Sequence, residues 1–312
     1  MIDDADPQER PRRRRSRLAD DDRLFGPASL PALRGATDDL VWLLERGYTI
    51  DAALKLVGDR HGLSARQLMG VRRASCTPAQ ARDRAARRVD LAGLRGADLW
   101  IDGFNVLVTL ESALAHATVI RGRDGAHRDL AGVHGSYHQV VETGVAVDVL
   151  ARALQASGPR SITWTLDRPV SSSGRLRAFL LAAGERRGLA WSVELHQNPD
   201  PVLARVGRAG ARDDSDLNNN TDNTDPIDHT EGEDRQRGAE ERDPATPPVI
   251  VATSDAWILD HCGLWCDLLG ELLRGPADAN ADSARGPALA MRPDLWLCDL
   301  QASHASEAPR AP

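Results

Sequence analysis

Lysine is the residue that this sequence most nearly lacks. Lys55 is the only lysine in 312 residues, and it stands in no glycine-rich or otherwise reactive context. A phosphate-binding P-loop, a Schiff-base lysine and a lysine general base each require a lysine in the site. The sequence therefore excludes these three kinds of chemistry.

Cysteines, aromatic residues and long apolar runs are also scarce. Four cysteines in a chain of this length do not form a secreted disulfide framework, and no apolar run is long enough to span a bilayer. Aromatic residues make up only 4% of the chain, and most of its apolar residues are Ala, Leu and Val, which favours an α/β or helical protein over a β-sandwich. We expect a cytoplasmic protein with no membrane segment.

Charge is distributed unevenly along the chain, whose formal net charge is −7. Residues 213–243 hold twelve acids and three arginines, whereas residues 60–88 hold eight arginines and one aspartate. A basic segment of this kind is typical of nucleic-acid contact, and equally typical of a solvated helical face. The charge pattern alone leaves both interpretations open.

The spacing of apolar and turn residues divides the chain into parts. Residues 1–27 and 301–312 are predicted to be disordered tails, and residues 28–90 a small all-helical domain. Residues 97–300 alternate between strand and helix patterns, interrupted by an acidic insertion at 207–248 that is predicted to be disordered. The expected fold class is α/β with a mostly parallel sheet, preceded by the helical domain.

Two predicted helices of this domain carry clear start signals. Ser64 with Gln67, and Thr77 with Gln80, have the spacing of capping boxes. The segment around the first of them also has helix-turn-helix spacing, which leaves open a DNA-reading role beside a structural or RNA-contacting one. In that case the second helix would present three arginines, Arg66, Arg72 and Arg73.

Three predicted buried strands lead into an aspartate. They are 99–101 before Asp102, 161–166 before Asp167, and 249–252 before the run Thr253-Ser254-Asp255. The carboxyl ends of parallel strands share one edge of a sheet, where ligands bind. Carboxylates about 5 Å apart repel by roughly 3 kcal/mol per pair at an effective dielectric constant near 20, and a hard divalent cation compensates this repulsion.

The three acids therefore predict a Mg²⁺ or Mn²⁺ site formed by Asp102, Asp167 and Asp255. Asn105 lies about one helical turn after Asp102, where its amide is placed to orient a water or a phosphate. Ser254 either does the same or caps the helix that follows the strand.

Further polar residues are candidates for substrate contact. Arg168, Ser173 and Arg175 surround a predicted helix amino terminus, which suits an anion. His134 and Tyr137 lie in the loop after a predicted hairpin, where they are placed to contact a base or a ribose. A structural role, as a helix cap or as packed loop residues, stays open for both groups.

The run from Asp102 to Val106, the acid Asp167 and the run Thr253-Ser254-Asp255 resemble elements of the PIN-like superfamily of nucleases, within its NYN branch. The whole chain also resembles an uncharacterised prokaryotic family that joins a small helical domain of unknown function to a PIN-like domain. The resemblance implies a Rossmann-like, three-layer PIN-type sandwich that cleaves RNA with the help of a metal ion.

The resemblance also implies roles for individual residues. Asp102 and Asp255 would be metal ligands, Asp167 a third acid, and Asn105 a residue that orients water or substrate. Glu111 is the candidate for the acid that the family carries on a helix.

Three functions compete at this stage, and the leading one is a metal-dependent endoribonuclease. The second is a phosphohydrolase of the haloacid-dehalogenase type, with Asp102 as nucleophile and Asp255 and Asp260 as metal ligands. Against it, Phe104 stands where that family has a second aspartate, and the expected lysine is missing. The third is a non-catalytic regulator that binds nucleic acid, RNA or DNA, through the arginine-rich helices.

Overall fold

The computed structural model describes residues 14–131, 137–208, 246–274 and 297–301. Only helices occur in its N-terminal part, namely α1 (Asp21–Phe25), α2 (Leu30–Leu44), α3 (Ile50–His61), α4 (Ala65–Ala74) and α5 (Pro78–Arg87). Strands and helices alternate in the remainder. They are β1 (Asp98–Asp102), α6 (Gly103–Leu114), β2 (Val119–Arg121), β3 (His127–Asp129), α7 (Val141–Ser157), β4 (Ser161–Asp167), α8 (Ser173–Arg186), β5 (Trp191–His196), α9 (Asp200–Arg208), β6 (Val249–Ala252), α10 (Ala256–His261), β7 (Leu264–Cys266), α11 (Leu268–Arg274) and β8 (Leu297–Asp299).

The larger sheet has five strands in the order β5-β4-β1-β6-β7, and every neighbouring pair is parallel. The chain winds from β1 outward to β4 and β5, and then returns to β6 on the other side of β1. In open α/β sheets the ligand-binding crevice lies at the carboxyl ends of the strands where the order reverses in this way. The predicted α/β class with a mostly parallel sheet is confirmed.

Helices cover both faces of this sheet because its strands are apolar on both sides. Leu99 and Ile101 of β1 point into a core that also contains residues of α6, α7 and α8. Trp100 of the same strand and Val251 of β6 point the other way, into a core with residues of α9 and α10.

A smaller sheet has the order β3-β2-β8. Its strands β2 and β3 form an antiparallel hairpin. The sequence predicts this hairpin from Asp124-Gly125, and Gly125 has the positive φ of +76° that favours glycine in a turn. The predicted hairpin is confirmed.

The helical region packs directly on the smaller sheet. Leu33 and Leu40 of α2 share one core with Ile120 of β2 and Leu300 after β8. The two predicted capping boxes, at the starts of α4 and α5, are confirmed. The helices therefore complete their core with residues from the second part of the chain.

Residues 14–27 differ from the predicted disordered tail. Asp21 in α1 is buried and accepts two bonds from Arg66, at 2.6 and 2.9 Å, and one from Thr118, at 3.1 Å. Leu24 and Phe25 enter the same core as α2. The sequence shows only a short polar stretch here, because these partners lie far away along the chain.

Most arginines of the basic segment 60–88 form ion pairs within the protein. Seven of the eight have a carboxylate partner: Arg60 pairs with Asp39, Arg66 with Asp21, Arg72 with Asp51, Arg73 with Asp129, Arg84 with Asp124 and Asp260, Arg87 with Asp83, and Arg88 with Asp267. Arg66 also donates to the Leu130 carbonyl, and Arg73 to the Asp129 carbonyl. Two of the three predicted DNA-reading arginines are thus engaged inside the protein.

Several predicted segments lie outside the described residues, namely 1–13 and 302–312 of the two tails and 209–245 of the acidic insertion. Within the ranges that are described, no helix has both the length and the apolarity needed to cross a bilayer.

Candidate functional site

The predicted acids meet at the carboxyl edge of the larger sheet. Strand β1 lies between β4 and β6, with Asp102 opposite Thr165 and Ile101 opposite Ala252. Asp102 therefore ends its strand close to Asp167 at the end of β4 and to the loop that follows β6. This is the edge at which the strand order reverses.

Asp102 is the most deeply buried acid of this edge, with 7% of its surface exposed. Its Oδ2 accepts a hydrogen bond of 2.8 Å from the Thr253 hydroxyl. Burial raises the pKa of Asp102 to about 8; the Thr253 bond opposes this shift, and the negative charges of Asp255, Asp200 and Asp167 reinforce it. These three neighbouring charges have the same sign as the Asp102 carboxylate and oppose its ionisation.

Asp200 is a fourth acid that the sequence reasoning missed. It begins α9, and burial together with the charges of Asp255 and Asp167 raises its pKa to about 6. Strand β5 lies at one edge of the sheet. The chain then crosses to the face that Trp100 points to, where α9 packs against α10. The composition of the run Asn198-Pro199-Asp200-Pro201 is typical of a turn. The one sequence feature that indicates a helix here is an acid followed by proline, which is typical of a helix start.

Asp167 and Asp255 differ in whether their carboxylates have a structural role. Asp167 is half-buried, and burial raises the pKa of its carboxyl. Asp255 caps α10, because its Oδ1 accepts the backbone N–H groups of Trp257 at 2.8 Å and Ile258 at 3.0 Å. One oxygen of Asp255 therefore has a structural task, as expected for a helix cap.

Asn105 and the loop after β6 hold each other in place. The backbone N–H and the hydroxyl of Ser254 both donate to Asn105 Oδ1, at 2.9 and 3.0 Å. Because both partners are donors, the amide orientation is fixed and its N–H₂ group is left to donate elsewhere. The Asp255 N–H donates to Thr253 Oγ1 at 3.1 Å, so the run 253–255 is bonded both to itself and to β1 and α6.

Gly103 allows α6 to start directly behind Asp102. A Cβ atom at this position would lie 2.5 Å from Leu166 Cδ2 and 2.8 Å from the Thr165 carbonyl oxygen. Both distances are shorter than van der Waals contact, and the carbonyl belongs to the neighbouring strand. The glycine of the run Asp102-Gly103 is therefore required by close packing of the helix on β4.

Gly103→Ala is expected to lower the free energy of unfolding by about 1–3 kcal/mol, as is usual for overpacking. Gly174→Ala is the matched control, because Gly174 also lies in the first turn of a helix after a strand-end acid and has nothing within 4 Å of its ideal Cβ. Urea unfolding of the two variants checks this. Equal stability of both variants would contradict the close approach.

The predicted substrate contacts are placed differently from the acids. Tyr137 is fully buried, and its hydroxyl donates to Glu111 Oε1 at 2.5 Å. Glu111 also accepts bonds from Thr143 at 2.6 Å and Arg15 at 2.7 Å. Burial raises the pKa of Glu111 against the influence of these partners. Tyr137 and Glu111 thus form an interior network, so Tyr137 is not placed to contact a base or ribose.

The predicted anion loop before α8 uses its serine for its own backbone. The Ser173 hydroxyl donates to the carbonyl oxygens of Asp167 and Val170, which is a local role. Arg168 donates to the Leu195 carbonyl at 3.0 Å, and Arg175 is exposed. His134 lies outside the described residues.

Asp260 faces away from the acidic edge. Its carboxylate accepts bonds of 2.8 Å from Gln80 and from Arg84, both in α5. The phosphohydrolase hypothesis assigns Asp260 to a metal, whereas the structure pairs this carboxylate with Gln80 and with the buried Arg84.

A buried ion network supports the loop that carries Asp255. Arg128 Nε donates to the Ser254 carbonyl at 2.7 Å, and its Nη atoms bond Asp124 at 2.9 and 2.6 Å. Arg84 bonds the same carboxylate at 2.6 Å and the Ala256 carbonyl at 3.1 Å. Helix α5 is thereby joined to the loop 253–256, directly at Ala256 and through Asp124 and Arg128 at Ser254.

The four acids do not form a ready-made cage for a metal. Among the described residues, no group of three or more His, Cys, Asp or Glu side chains is arranged to hold an ion. Mg²⁺ is commonly held by one or two carboxylates and several waters, so it does not need three protein ligands. An acidic edge with one buried carboxylate matches that donor set.

Beside Asn105 the protein encloses only a small space. A cavity of about 10 Å³ is lined by residues of α6, β3 and α11 and by Thr253 and Ser254. That is room for about one water molecule. A substrate larger than a water molecule therefore does not fit in this cavity.

Fold and site define a two-part protein in which a helical region supports an α/β domain with an acidic sheet edge. Residues 32–87 match the family described as a protein of unknown function, DUF434, and residues 91–228 match a domain of unknown function, DUF5616. The second match includes Asp102, Asn105, Asp167 and Asp200 and ends before the run 253–255. The expected pairing of a helical domain of unknown function with a second domain is confirmed at this level.

The chain is also similar to an uncharacterised protein of the archaeon Methanocaldococcus jannaschii. The two are 28% identical over 145 residues, which cover 46% of this chain and 69% of the relative. No solved structure matches the chain significantly. These similarities carry no activity with them, so function has to be argued from the site.

Proposed function

We propose that this chain is a divalent-metal-dependent endoribonuclease whose α/β domain is PIN-like. The observation that carries the proposal is the convergence of four aspartates, Asp102, Asp167, Asp200 and Asp255, at the point where the strand order reverses. A fold keeps a buried acid beside three like charges only at a cost in stability, and a bound cation removes that cost.

Asp102 and Asp255 would hold the ion, which would be Mg²⁺ or Mn²⁺ because the donors are carboxylates and water. When bound, such an ion supplies a water of lowered pKa and positive charge beside the phosphoryl oxygens. Asp167 and Asp200, which are both partly exposed, would accept hydrogen bonds from water bound to this ion.

The neutral residues of the edge have separate tasks. Thr253 fixes the Asp102 carboxylate by donating to its Oδ2. Ser254 holds the Asn105 carbonyl oxygen, so that the Asn105 amide N–H₂ is directed to other acceptors. A phosphate oxygen of the substrate is an acceptor of the right kind.

The alternative of a non-catalytic regulator that binds nucleic acid through its helices is less well supported. It requires accessible arginines on α4, and Arg66 and Arg73 are instead bonded to Asp21 and Asp129. Arg72, the third, is half-exposed and pairs with Asp51.

The test is cleavage of labelled single-stranded RNA by the full chain in Mg²⁺ or Mn²⁺. We expect EDTA to stop cleavage and Asp102→Asn to abolish it. Asp200→Asn is expected to lower kcat/KM by about 10- to 100-fold, the range for residues that support a metal site.

Asp148→Asn is the matched control for these variants. Asp148 is a partly exposed acid on α7 that pairs with Arg152 and Arg187, away from the site. It should cleave like the wild type. Cleavage that persists in Asp102→Asn, or absence of cleavage by the wild type in either metal, would contradict the proposal.

A further inference from the structure

Two stacked rings stand at the surface directly beside the acidic edge. Trp257 and His261 lie one helical turn apart on α10, with ring centroids 4.3 Å apart and an interplanar angle of 23°. Trp257 is 47% exposed, whereas most large apolar side chains in the described part of the chain are buried. At this exposure a large part of the indole is accessible to a ligand that meets the acidic edge.

The fold holds this pair rigidly. The His261 Nδ1 is hydrogen-bonded to the Trp257 carbonyl oxygen at 2.7 Å, which fixes the imidazole against the indole. The backbone N–H of Trp257 donates to Asp255 Oδ1 at 2.8 Å, so this residue is hydrogen-bonded to an acid of the site. Ile258 and Leu259 are buried, which anchors α10 and turns the ring pair outward.

We propose that Trp257, backed by His261, is a stacking platform for an unpaired base of the nucleic acid whose backbone meets the acidic edge. The inference rests on the proposed nuclease function and adds a substrate-binding residue that is not an acid. Aromatic rings bind any base by its π face, which provides affinity without sequence readout. The acids of the edge repel a phosphate backbone. Stacking on a base would therefore add affinity to that supplied by a cation at the edge.

The platform requires a base with a free face. A strand that is unpaired next to the scissile phosphate offers one, whereas the faces of bases inside a duplex are already stacked. We therefore expect duplex RNA to compete poorly for the wild-type protein.

The test measures the Kd of the full chain for a fluorescein-labelled, phosphorothioate-linked single-stranded RNA in Mn²⁺, by anisotropy. The phosphorothioate linkage slows hydrolysis, and a denaturing gel of the same samples checks that the RNA stays intact, so the readout is binding and not turnover. Trp257→Leu is expected to raise Kd by about 5- to 100-fold, as for the loss of one stacked base. Trp257→Phe should retain most of the affinity, because a ring remains.

Trp42→Leu is the matched control. Trp42 is 52% exposed and carries the Arg46 guanidinium 3.5 Å above its ring, yet it lies on α2 of the helical region. It should bind RNA like the wild type. An RNA of the same length with abasic sites should bind wild type and Trp257→Leu equally.

The outcomes separate the platform from the nuclease proposal. An unchanged Kd for Trp257→Leu, with RNA binding and cleavage by the wild type intact, overturns the platform and leaves the nuclease standing. The platform is also overturned if Trp257→Leu weakens the binding of abasic RNA as much as that of intact RNA. The same holds if Trp42→Leu weakens RNA binding and Trp257→Leu does not. A wild type that neither binds nor cleaves RNA overturns both.

Discussion

Replacing Asp102 with asparagine is expected to make the metal-free protein more stable while it abolishes RNA cleavage. The pKa of Asp102 is raised to about 8, far above the ordinary value of 3.8 for an aspartate. Between those two pH values the folded state retains a proton that the unfolded state releases. Stability therefore falls as pH rises through this window, by on the order of 4 kcal/mol at pH 7.

An asparagine at this position has no charge to bury and still offers an oxygen to the Thr253 hydroxyl. The free energy of unfolding of Asp102→Asn should therefore exceed that of the wild type in EDTA. The difference should be small at pH 5 and larger by a few kcal/mol at pH 8. Urea unfolding at both pH values checks this, with Asp148→Asn as the partly exposed control.

Mn²⁺ should stabilise the wild type and leave Asp102→Asn unchanged, since binding to the folded state alone raises stability. A variant no more stable than the wild type at pH 8, or a difference that does not depend on pH, would contradict this account of Asp102.

Asp124→Asn is expected to lower the free energy of unfolding by about 3–5 kcal/mol. Asp124 lies between two buried arginines, Arg84 and Arg128, which are 1% and 6% exposed. Burial alone would raise the pKa of Asp124, but the two guanidinium groups hold it well below its usual range. Asparagine keeps the bond from the Ala126 N–H, but it leaves the Arg128 charge without a carboxylate partner and Arg84 with only the partly exposed Asp260.

Asp148→Asn is again the control, because Asp148 also bridges two arginines but is 38% exposed. Its loss should cost at most about 1 kcal/mol, the usual limit for a surface pair. Thermal or urea unfolding of both variants gives the comparison. Equal costs for the two would show that burial does not set the value of the Asp124 network.

The strand-end acids were predictable because the rule behind them is local. A buried apolar run followed by an aspartate marks the end of a parallel strand, and parallel strands bring their ends to one edge. Asp102, Asp167 and the run 253–255 were placed in this way. The local rule does not reach Asp200, because this residue does not end a strand. It begins α9, which follows the edge strand β5 after a short loop and lies on the face of the sheet that Trp100 points to.

The polar residues assigned to substrate show the opposite case. The loop after the hairpin suggests a substrate contact for Tyr137, and the predicted helix amino terminus suggests one for Ser173. In the structure Tyr137 bonds Glu111 and Ser173 bonds a turn of its own backbone. The arginines of 60–88 suggest either nucleic-acid contact or a solvated helical face, yet their partners include Asp21, Asp124 and Asp267, far away along the chain. A sequence pattern shows which side chains are charged, but not which long-range partner neutralises them.

The most direct test of the central claim is the anomalous diffraction of Mn²⁺ in crystals of the full chain. The account predicts one anomalous peak at the carboxyl edge of the larger sheet, within ligand distance of Asp102 and Asp255, and no such peak in Asp102→Asn. A wild-type crystal saturated with Mn²⁺ that shows no peak near these two carboxylates would contradict it.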